Sequence, residues 1–257
     1  MGKIRRYSNL VREIANWPEF LLFKTFKSNG SFTFRLRNSF EIAVDLKMLP
    51  PFKEIFFDKV YLNEITQKYM TSQSPVIVDI GANVGFFSLF MLSRFPEARV
   101  IAFEPMPFNF KVLEEYKRRY PQFDLTAVNM AVYDKEGSIV LNASSLDSFT
   151  TMSSVMAGGK RTETIEVKAA AFSSIFADYK LSSIDFLKLD CEGSEYAILY
   201  SALEDLLERV KIMGIETHPG AKKNENLDSL SHFLTQRGFV QKISRKGDNG
   251  YIWAWRE

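Results

Sequence analysis

Cysteine is nearly absent from this sequence, since Cys191 is the only one among 257 residues. A single cysteine excludes an intrachain disulfide and a cysteine-ligated metal cluster, and it fits a reducing compartment. Long apolar runs are also missing: no stretch approaches the roughly 18 residues of a membrane-spanning helix, and the N-terminus lacks the features of a signal peptide. We therefore expect a cytoplasmic protein.

A strong net charge is missing as well, because 33 Lys and Arg against 31 Asp and Glu leave only +2. So small a charge gives no chain-wide positive field for a nucleic-acid backbone, and we expect no nucleic-acid partner. The hydrophobic share of 46% is ordinary for a globular protein and excludes a disordered chain. The length suits one α/β domain with an N-terminal extension.

Phenylalanine is abundant, and nine of the 23 Phe fall within residues 1–74, which makes that extension too apolar for a free tail. The basic, aromatic residues 1–28 are expected to be helical. They would pack on the domain or on a partner subunit, or form a peripheral contact with a membrane surface, and a homo-oligomer stays open. Alternating residues predict a β-hairpin from Ser31–Arg37 and Phe40–Val44, and a helix is predicted over residues 51–70.

From residue 75 to 257, short apolar runs alternate with helical segments, which predicts a doubly wound, largely parallel sheet. The predicted elements include strands at Val76–Ile80, Val100–Phe103, Leu125–Val132, Ile184–Leu189 and Ile212–Glu216, a helix at Ser194–Val210, and a C-terminal hairpin at Phe239–Ser244 and Tyr251–Trp255. Two short strand-like pieces, Ile139–Leu141 and Ile165–Val167, flank a Ser, Thr and Gly-rich loop at Ser144–Gly159.

The first strand of this domain runs into a glycine turn, from Asp79 to Gly85, at the place where α/β folds bind nucleotide-like cofactors. A dinucleotide fingerprint would require glycine where Asn83 and Phe86 stand, and no phosphate-binding Lys-Ser/Thr follows. Glu104, near the end of the next strand, can accept both hydroxyl protons of a ribose. S-adenosylmethionine suits this combination, with Asp79 organising its ammonium group.

The strand at Ile184–Leu189 ends in acidic residues. Period-two geometry places Lys188, Asp190 and, if the strand persists, Glu192 on one face. They form either an ion pair that supports the sheet end or a reacting site. Asp190 is the first candidate for orienting cofactor or acceptor, and the candidate bases are Glu192, Glu216 and His218. As a less favoured alternative, Asp190 and Glu216 could hold a divalent cation.

Five motifs together resemble the FkbM family of class I S-adenosylmethionine-dependent methyltransferases: DIGANVGFFS, AFEP, VNMAVYD, DFLKLDCEGSEYAIL and GIETH. The resemblance covers about residues 75–218 and implies a Rossmann-like seven-stranded sheet whose last strand is antiparallel. It implies cofactor contacts at Asp79, Gly81, Ala82, Asn83, Gly85, Phe86, Glu104, Pro105, Met106, Asn129, Met130, Ala131 and Asp190. It also places Glu192, Gly193 and Glu195 in an acidic motif after the fourth strand. Ala170–Ser173 departs from the Thr-Leu-Asp sequence that the family often shows there.

These residues favour an O-methyltransferase acting on a sugar, glycan or secondary metabolite. Methylases of base or amide nitrogen commonly place Asp/Asn-Pro-Pro-aromatic at this strand end, and this chain has Asp190 followed by Cys-Glu-Gly. Glu54 and Tyr61 are expected to line the mouth of the acceptor pocket. The alternatives are a non-catalytic cofactor-binding scaffold and a nicotinamide oxidoreductase, which binding of NAD rather than S-adenosylhomocysteine would identify.

Overall fold

The computed structural model describes residues 2–25, 30–38, 40–143, 153–154, 163–247 and 249–257. The predicted loop at Ser144–Gly159 therefore lies outside the described residues except for Ser153 and Ser154. The N-terminal segment contains, in chain order, α1 (Gly2–Glu13), α2 (Trp17–Thr25), β1 (Ser31–Arg35), β2 (Glu41–Asp45), a 3-10 turn (Leu46–Met48), α3 (Leu49–Lys53), a π-helical turn (Glu54–Asp58) and α4 (Glu64–Tyr69).

The remaining elements alternate as the sequence predicts. They are β3 (Val76–Ile80), α5 (Phe86–Arg94), β4 (Arg99–Phe103), α6 (Pro107–Arg119), β5 (Asp124–Val128), β6 (Ala131–Tyr133), β7 (Gly137–Ala143), β8 (Ser153–Ser154), β9 (Glu163–Ala171), α7 (Phe172–Asp178), β10 (Ile184–Leu189), α8 (Glu195–Ser201), α9 (Glu204–Glu208), β11 (Val210–Thr217), α10 (Leu227–Gln236), β12 (Val240–Lys246) and β13 (Asn249–Trp255).

Seven strands form the main sheet in the order β12-β13-β11-β10-β3-β4-β5. The strands from β11 to β5 pair in parallel, and the last strand, β13, is antiparallel to both of its neighbours. The predicted fold class and the antiparallel last strand are confirmed. The strand order reverses between β3 and β10, so the carboxyl ends of these two strands form the crevice in which α/β sheets bind ligands.

Successive side chains of the central strands point to opposite faces of the sheet, and each face has its own apolar cluster. Ile77 and Phe186 belong to a cluster that also contains the N-terminal segment, α5 and α6, whereas Val78 and Leu187 belong to a cluster with α7, α8 and α10. Both faces of the sheet are therefore covered. This explains why β3 and β10 carry almost continuous apolar runs.

The predicted N-terminal hairpin is confirmed, because β1 pairs with β2 in antiparallel register, with Phe34 opposite Ile42. The predicted helix over residues 51–70 is wrong as a single element. Lys59 adopts a left-handed φ of 52°, which ends the π-helical turn, and α4 begins only at Glu64. The Asn63 side chain caps α4 by accepting hydrogen bonds from the backbone of its first turn.

Two further predictions of continuous elements are wrong. The strand predicted at Leu125–Val132 divides into β5 of the main sheet and β6, which pairs with β9 in a separate four-stranded sheet. The helix predicted at Ser194–Val210 divides into α8 and α9, because Ala202 has an extended backbone. The two short strand-like pieces are instead the long antiparallel strands β7 and β9. Among the described residues, no helix is long and apolar enough to cross a membrane.

Candidate active site

The turn after β3 brings the backbone very close to the end of β10. Gly81, Asn83 and Gly85 have positive φ angles of 76°, 55° and 87°. A Cβ atom on Gly81 would lie 1.9 Å from the carbonyl oxygen of Asp190. Because no side chain fits in that space, glycine at position 81 allows the two strand ends to form a shared wall.

Glu104 lies at the end of the turn away from β10, and its carboxylate is held by the backbone. Oε2 accepts a hydrogen bond from the Asn83 N–H at 2.7 Å, and Oε1 accepts one from the Met106 N–H at 2.9 Å. Burial raises the pKa of Glu104 to about 7, although these two hydrogen bonds and Lys188 act in the opposite direction. The carboxylate is therefore fixed in orientation and forms part of a cavity wall.

Lys188 joins the two strands beneath the turn. Its Nζ donates a hydrogen bond to the Gly81 carbonyl at 2.9 Å and forms ion pairs with Asp79 at 3.1 Å and Asp190 at 3.6 Å. Burial alone would lower the pKa of Lys188, but the charges of the two aspartates raise it above its ordinary value. The ion pair that the sequence suggested is present, and Lys188 remains a buried cation.

Asp79 is fully buried behind the turn, where its carboxylate also accepts a hydrogen bond from the Ser88 hydroxyl at 2.7 Å. Its side chain does not reach either of the two cavities described below. The structure therefore places Asp79 beneath the site, as a support for Lys188, and not in its wall.

The acidic segment after β10 is a turn and not a continuing strand. β10 ends at Leu189, and Glu192 has a φ of 54°, so the strand does not persist to Glu192 and alternation does not place it beside Lys188 and Asp190. Glu195, at the start of α8, closes this turn by accepting hydrogen bonds from the N–H groups of Cys191 and Gly193. The turn nevertheless directs Asp190 and Glu192 toward the cavities.

His218 follows β11 and is held by Glu195. Its Nδ1 lies 3.1 Å from Glu195 Oε1, and its Nε2 lies 3.9 Å from Glu192 Oε2. Burial lowers the pKa of His218, but the hydrogen bond and charge of Glu195, with Glu192 and Asp190, raise it to about 10. The imidazole is consequently in its cationic form at neutral pH, with a proton on each ring nitrogen.

Two cavities meet at this crevice and share Gly81, Asn83, Asp190 and Glu192. The first, the cofactor cavity, contains most of the expected cofactor residues: Gly81, Asn83, Glu104, Pro105, Met130, Ala131 and Asp190. Ala82 and Phe86 line the second cavity instead. Gly85, Met106 and Asn129 line neither; Gly85 begins α5, and the other two hold the Glu104 loop by hydrogen bonds.

The second cavity, the acceptor cavity, has five carboxylates and three Lys or Arg side chains in its wall and a volume of about 420 Å³. Glu54 and Tyr61, which the sequence analysis expects at the mouth of the acceptor pocket, line it together with the candidate catalytic residues Asp190, Glu216 and His218. Burial and the charge of Asp190 raise the pKa of Glu216 to about 8. The volume lies within the roughly 300–1,000 Å³ typical of small-molecule sites.

Tyr251 of β13 is a site residue that the sequence analysis missed. Its hydroxyl donates a hydrogen bond to Glu54 Oε1 and interacts with Glu216, so it joins the N-terminal segment to the sheet. No local motif marks this tyrosine. It meets Glu54 and Glu216, which line the cavity, because β13 lies between β11 and β12.

Comparisons with known proteins place the chain in a family. The profile described as Methyltransferase FkbM domain matches residues 79–240, which is more than half of the chain. The chain belongs to the FkbM methyltransferase family. The predicted resemblance is thereby confirmed, the protein is a methyltransferase, and membership points to S-adenosylmethionine as its methyl donor. The nicotinamide oxidoreductase alternative has no support.

Relatives of this methyltransferase are distant. Methyltransferase sdnD of Sordaria araneosa is 27% identical over 216 residues, covering 73% of this chain and 80% of that protein. The 31-O-demethyl-FK506 methyltransferase FkbM of Streptomyces tacrolimicus is 25% identical over 193 residues, covering 65% and 73%. AMB antimetabolite synthetase AmbE of Pseudomonas aeruginosa is 25% identical over 232 residues; the match covers 75% of this chain but spans only 10% of AmbE.

Among solved structures, Methyltransferase FkbM from Methylobacillus flagellatus KT superposes with a TM-score of 0.54 at 15% sequence identity. The match covers 79% of this chain and 48% of that one. At this identity the likeness shows the fold alone.

Proposed function

We propose that this FkbM-family protein transfers a methyl group from S-adenosylmethionine to a hydroxyl oxygen of a small molecule or glycan. The observation that carries the proposal is the junction of two unlike cavities at Asp190. One contains the fixed carboxylate of Glu104, and the other is lined by five carboxylates and is large enough for an acceptor. A methyl donor in the first cavity and an acceptor in the second would meet at this junction.

The cofactor cavity has the donor set that S-adenosylmethionine requires. Glu104 would accept the two ribose hydroxyls, since its carboxylate has lone pairs beyond the two backbone hydrogen bonds. Met130 and Val132 offer apolar surface to a flat base, and Asp190 places negative charge where a cationic tail would lie. The glycine turn lies between Glu104 and Asp190. It places no side chain at position 81, which leaves the crevice open.

The bound donor supplies an activated methyl group: the acceptor oxygen forms the new C–O bond, the C–S electron pair stays on sulfur, and the hydroxyl proton passes to a cavity carboxylate or to solvent. The protein must therefore align the acceptor and assist loss of that proton. Asp190 and Glu216 face the acceptor cavity and would orient the hydroxyl group there. Lys188 holds Asp190 in place from below.

Oxygen is favoured over nitrogen as the acceptor atom for two reasons. The strand end carries Asp190 and Glu192, without the Asp/Asn-Pro-Pro-aromatic sequence whose carbonyls bind an amine. In addition, the Streptomyces tacrolimicus relative is named for the 31-O-demethyl compound that it methylates. The same donor and cavity would serve a sugar or a secondary metabolite.

The test is a screen of hydroxyl-bearing acceptors with labelled S-adenosylmethionine, preceded by calorimetric titration of the full chain with S-adenosylhomocysteine. We expect micromolar binding and transfer of label to at least one hydroxyl acceptor. Asp190→Asn should lower turnover, whereas Asp205→Asn, on the short helix α9, should not. Binding of S-adenosylhomocysteine with transfer only to amine acceptors would contradict the proposal, and unchanged turnover in Asp190→Asn would remove the role of Asp190.

A further inference from the structure

We propose that Asp190, Glu216 and His218 form a binding site for a divalent cation in the acceptor cavity. One ligand atom from each residue lies within 4.8 Å of the other two, so small side-chain rotations would bring them around one ion. All three residues line the same cavity. Asp190 follows the end of β10, Glu216 lies among the last residues of β11, and His218 follows that strand. The two strands pair directly, with Leu189 opposite Ile215, so the sheet itself brings the three residues together.

His218 is oriented as a histidine ligand usually is. Glu195 Oε1 lies 3.1 Å from Nδ1, and Glu195 is itself fixed by the backbone N–H groups of Cys191 and Gly193. A carboxylate on one ring nitrogen fixes the ring and leaves the other nitrogen for a metal. Nε2, on the opposite side of the ring, lies 3.9 Å from Glu192, beyond hydrogen-bond distance.

An independent observation, from outside the cluster, is the hydroxyl of Tyr61. The residue is only 3% exposed and lines the same cavity, and its hydroxyl has no hydrogen-bond partner among the described residues. A buried hydroxyl without a partner is costly and rare in folded proteins. An oxygen ligand bound to the cation, whether from water or from the acceptor, would give this hydroxyl its missing partner.

The charges around the cluster also favour a cation. Five carboxylates line the cavity (Glu54, Asp58, Asp190, Glu192 and Glu216) against three Lys or Arg cations (Arg6, Lys188 and Lys246), and Lys188 forms its ion pair with Oδ2 of Asp190. Like charges this close repel unless a cation or shared protons balance them. A divalent ion bound between Asp190, Glu216 and His218 would balance the negative charge of these carboxylates.

The donor set indicates the class of metal. Magnesium and calcium prefer oxygen ligands alone, whereas two carboxylates with one imidazole suit manganese and similar divalent transition ions. Binding displaces the proton from the imidazole, as metal binding to histidine does generally. Three protein ligands leave positions open in an octahedral site for the oxygens of an acceptor.

At such a site the cation lowers the pKa of a bound hydroxyl group. The O–H bond then breaks with its proton passing to solvent, and the oxygen keeps the electron pair for the new bond. This catalytic role rests on the proposed O-methyltransferase function. The existence of the cation site does not, and its test is independent of activity.

The experiment measures Mn²⁺ binding to the full-length protein after removal of metals with EDTA, by calorimetry and by loss of the free-ion electron paramagnetic resonance signal. We expect one ion per chain. Glu216→Gln and His218→Gln should each weaken binding by about 100-fold or more, exceeding the roughly 10- to 100-fold that loss of an outer partner costs. The matched control is Asp58→Asn, an acid in the same cavity paired with Arg6, which should bind Mn²⁺ as the wild type does.

Thermal melting of each variant shows whether it folds, and two ligand variants keep the test valid if one does not. Absence of stoichiometric binding to the wild-type protein, or equal binding by both ligand variants, would overturn the site. Methyl transfer to an acceptor at full rate in EDTA would overturn the catalytic role while leaving the proposed function intact. Mn²⁺ binding with the expected variant losses, without any hydroxyl acceptor being methylated, would support the site and count against the proposed function.

Discussion

Glycine is required at position 81 by space as well as by backbone angle. A Cβ there would lie 1.9 Å from a backbone oxygen, at a φ of 76°. Gly247 has a similar φ of 62°, but no described atom lies within 4 Å of the point that a Cβ would occupy there, at the C-terminal hairpin. The two glycines therefore separate the cost of the angle from the cost of the clash.

We predict that Gly247→Ala lowers the free energy of unfolding by about 1–2 kcal/mol, the cost of a left-handed residue. Gly81→Ala should lower it by more and should weaken S-adenosylhomocysteine binding, because Asp190 must move. Urea unfolding and calorimetric titration measure both effects. Equal losses of stability with unchanged binding would show that the close approach is not needed.

The raised pKa of Glu104 predicts how the affinity for the cofactor depends on pH. Its pKa is raised to about 7, chiefly by burial, with Asp79 raising it further and Lys188 and the backbone N–H groups of Met106 and Asn83 lowering it. Only the ionised carboxylate can accept two ribose hydroxyls. Affinity for S-adenosylhomocysteine should therefore be full above pH 7 and fall as pH decreases, by up to about tenfold per pH unit for one proton.

Calorimetry between roughly pH 6 and 8 tests this dependence. Glu104→Gln should bind more weakly at every pH and lose the dependence, since an amide does not titrate. A wild-type affinity that stays constant over this range, or a variant that retains the slope, would contradict the assignment.

At the scale of elements, Lys188 stabilises the junction of β3, β10 and the glycine turn. It is a buried cation with an aspartate on the neighbouring strand directly opposite, in the Lys188–Asp79 register. Removing one partner of a buried ion pair leaves the other charge uncompensated. Lys211 provides a contrast, because its side chain is 58% exposed although it also pairs with an aspartate, Asp185.

We predict that Lys188→Met lowers the free energy of unfolding by about 3–5 kcal/mol, the range for breaking a buried pair. Lys211→Met should cost at most about 1 kcal/mol, as exposed pairs do. Chemical denaturation compares the two. If Lys188→Met were as stable as Lys211→Met, the buried pair would not support the strand junction.

Elements whose pattern is set by local spacing were predictable, and those divided by tertiary contacts were not. β10 was predicted with its correct bounds because it is buried on both faces, and a short, nearly continuous apolar run is typical of such a strand. The helix predicted over residues 51–70 fails at Lys59, whose backbone is left-handed and whose side chain forms an ion pair with Glu13 of α1. Residue spacing carries no signal for such a break.

The whole molecule has an apolar cluster that crosses the expected domain boundary near residue 74. Phe52 stacks on Phe34 at 4.3 Å and on Phe56 at 4.4 Å, and its edge meets Phe86 of α5 at 5.3 Å. The described phenylalanines before residue 75 therefore belong to one cluster with α5 and the sheet. We expect the N-terminal segment to unfold together with it.

We predict one cooperative transition in differential scanning calorimetry, with equal calorimetric and van't Hoff enthalpies. Phe52→Ala should lower the free energy of unfolding by about 3–5 kcal/mol and shift the whole transition. Leu22→Ala, at a residue 61% exposed, should change it by less than about 0.5 kcal/mol. A separate early transition in Phe52→Ala would show that the two parts unfold independently.

Sequence by itself determined the α/β class, the terminal hairpins and the family, and it predicts Gly81 and Glu104 as cofactor residues, because each depends on residue types at short spacing. Tertiary structure alone decided that Asp79 supports Lys188 beneath the site and that Tyr251 binds Glu54 at the acceptor cavity. It also brought Asp190, Glu216 and His218 within reach of one ion. The order of strands sets these encounters, and pairing between segments distant in the chain leaves no periodic mark in the sequence.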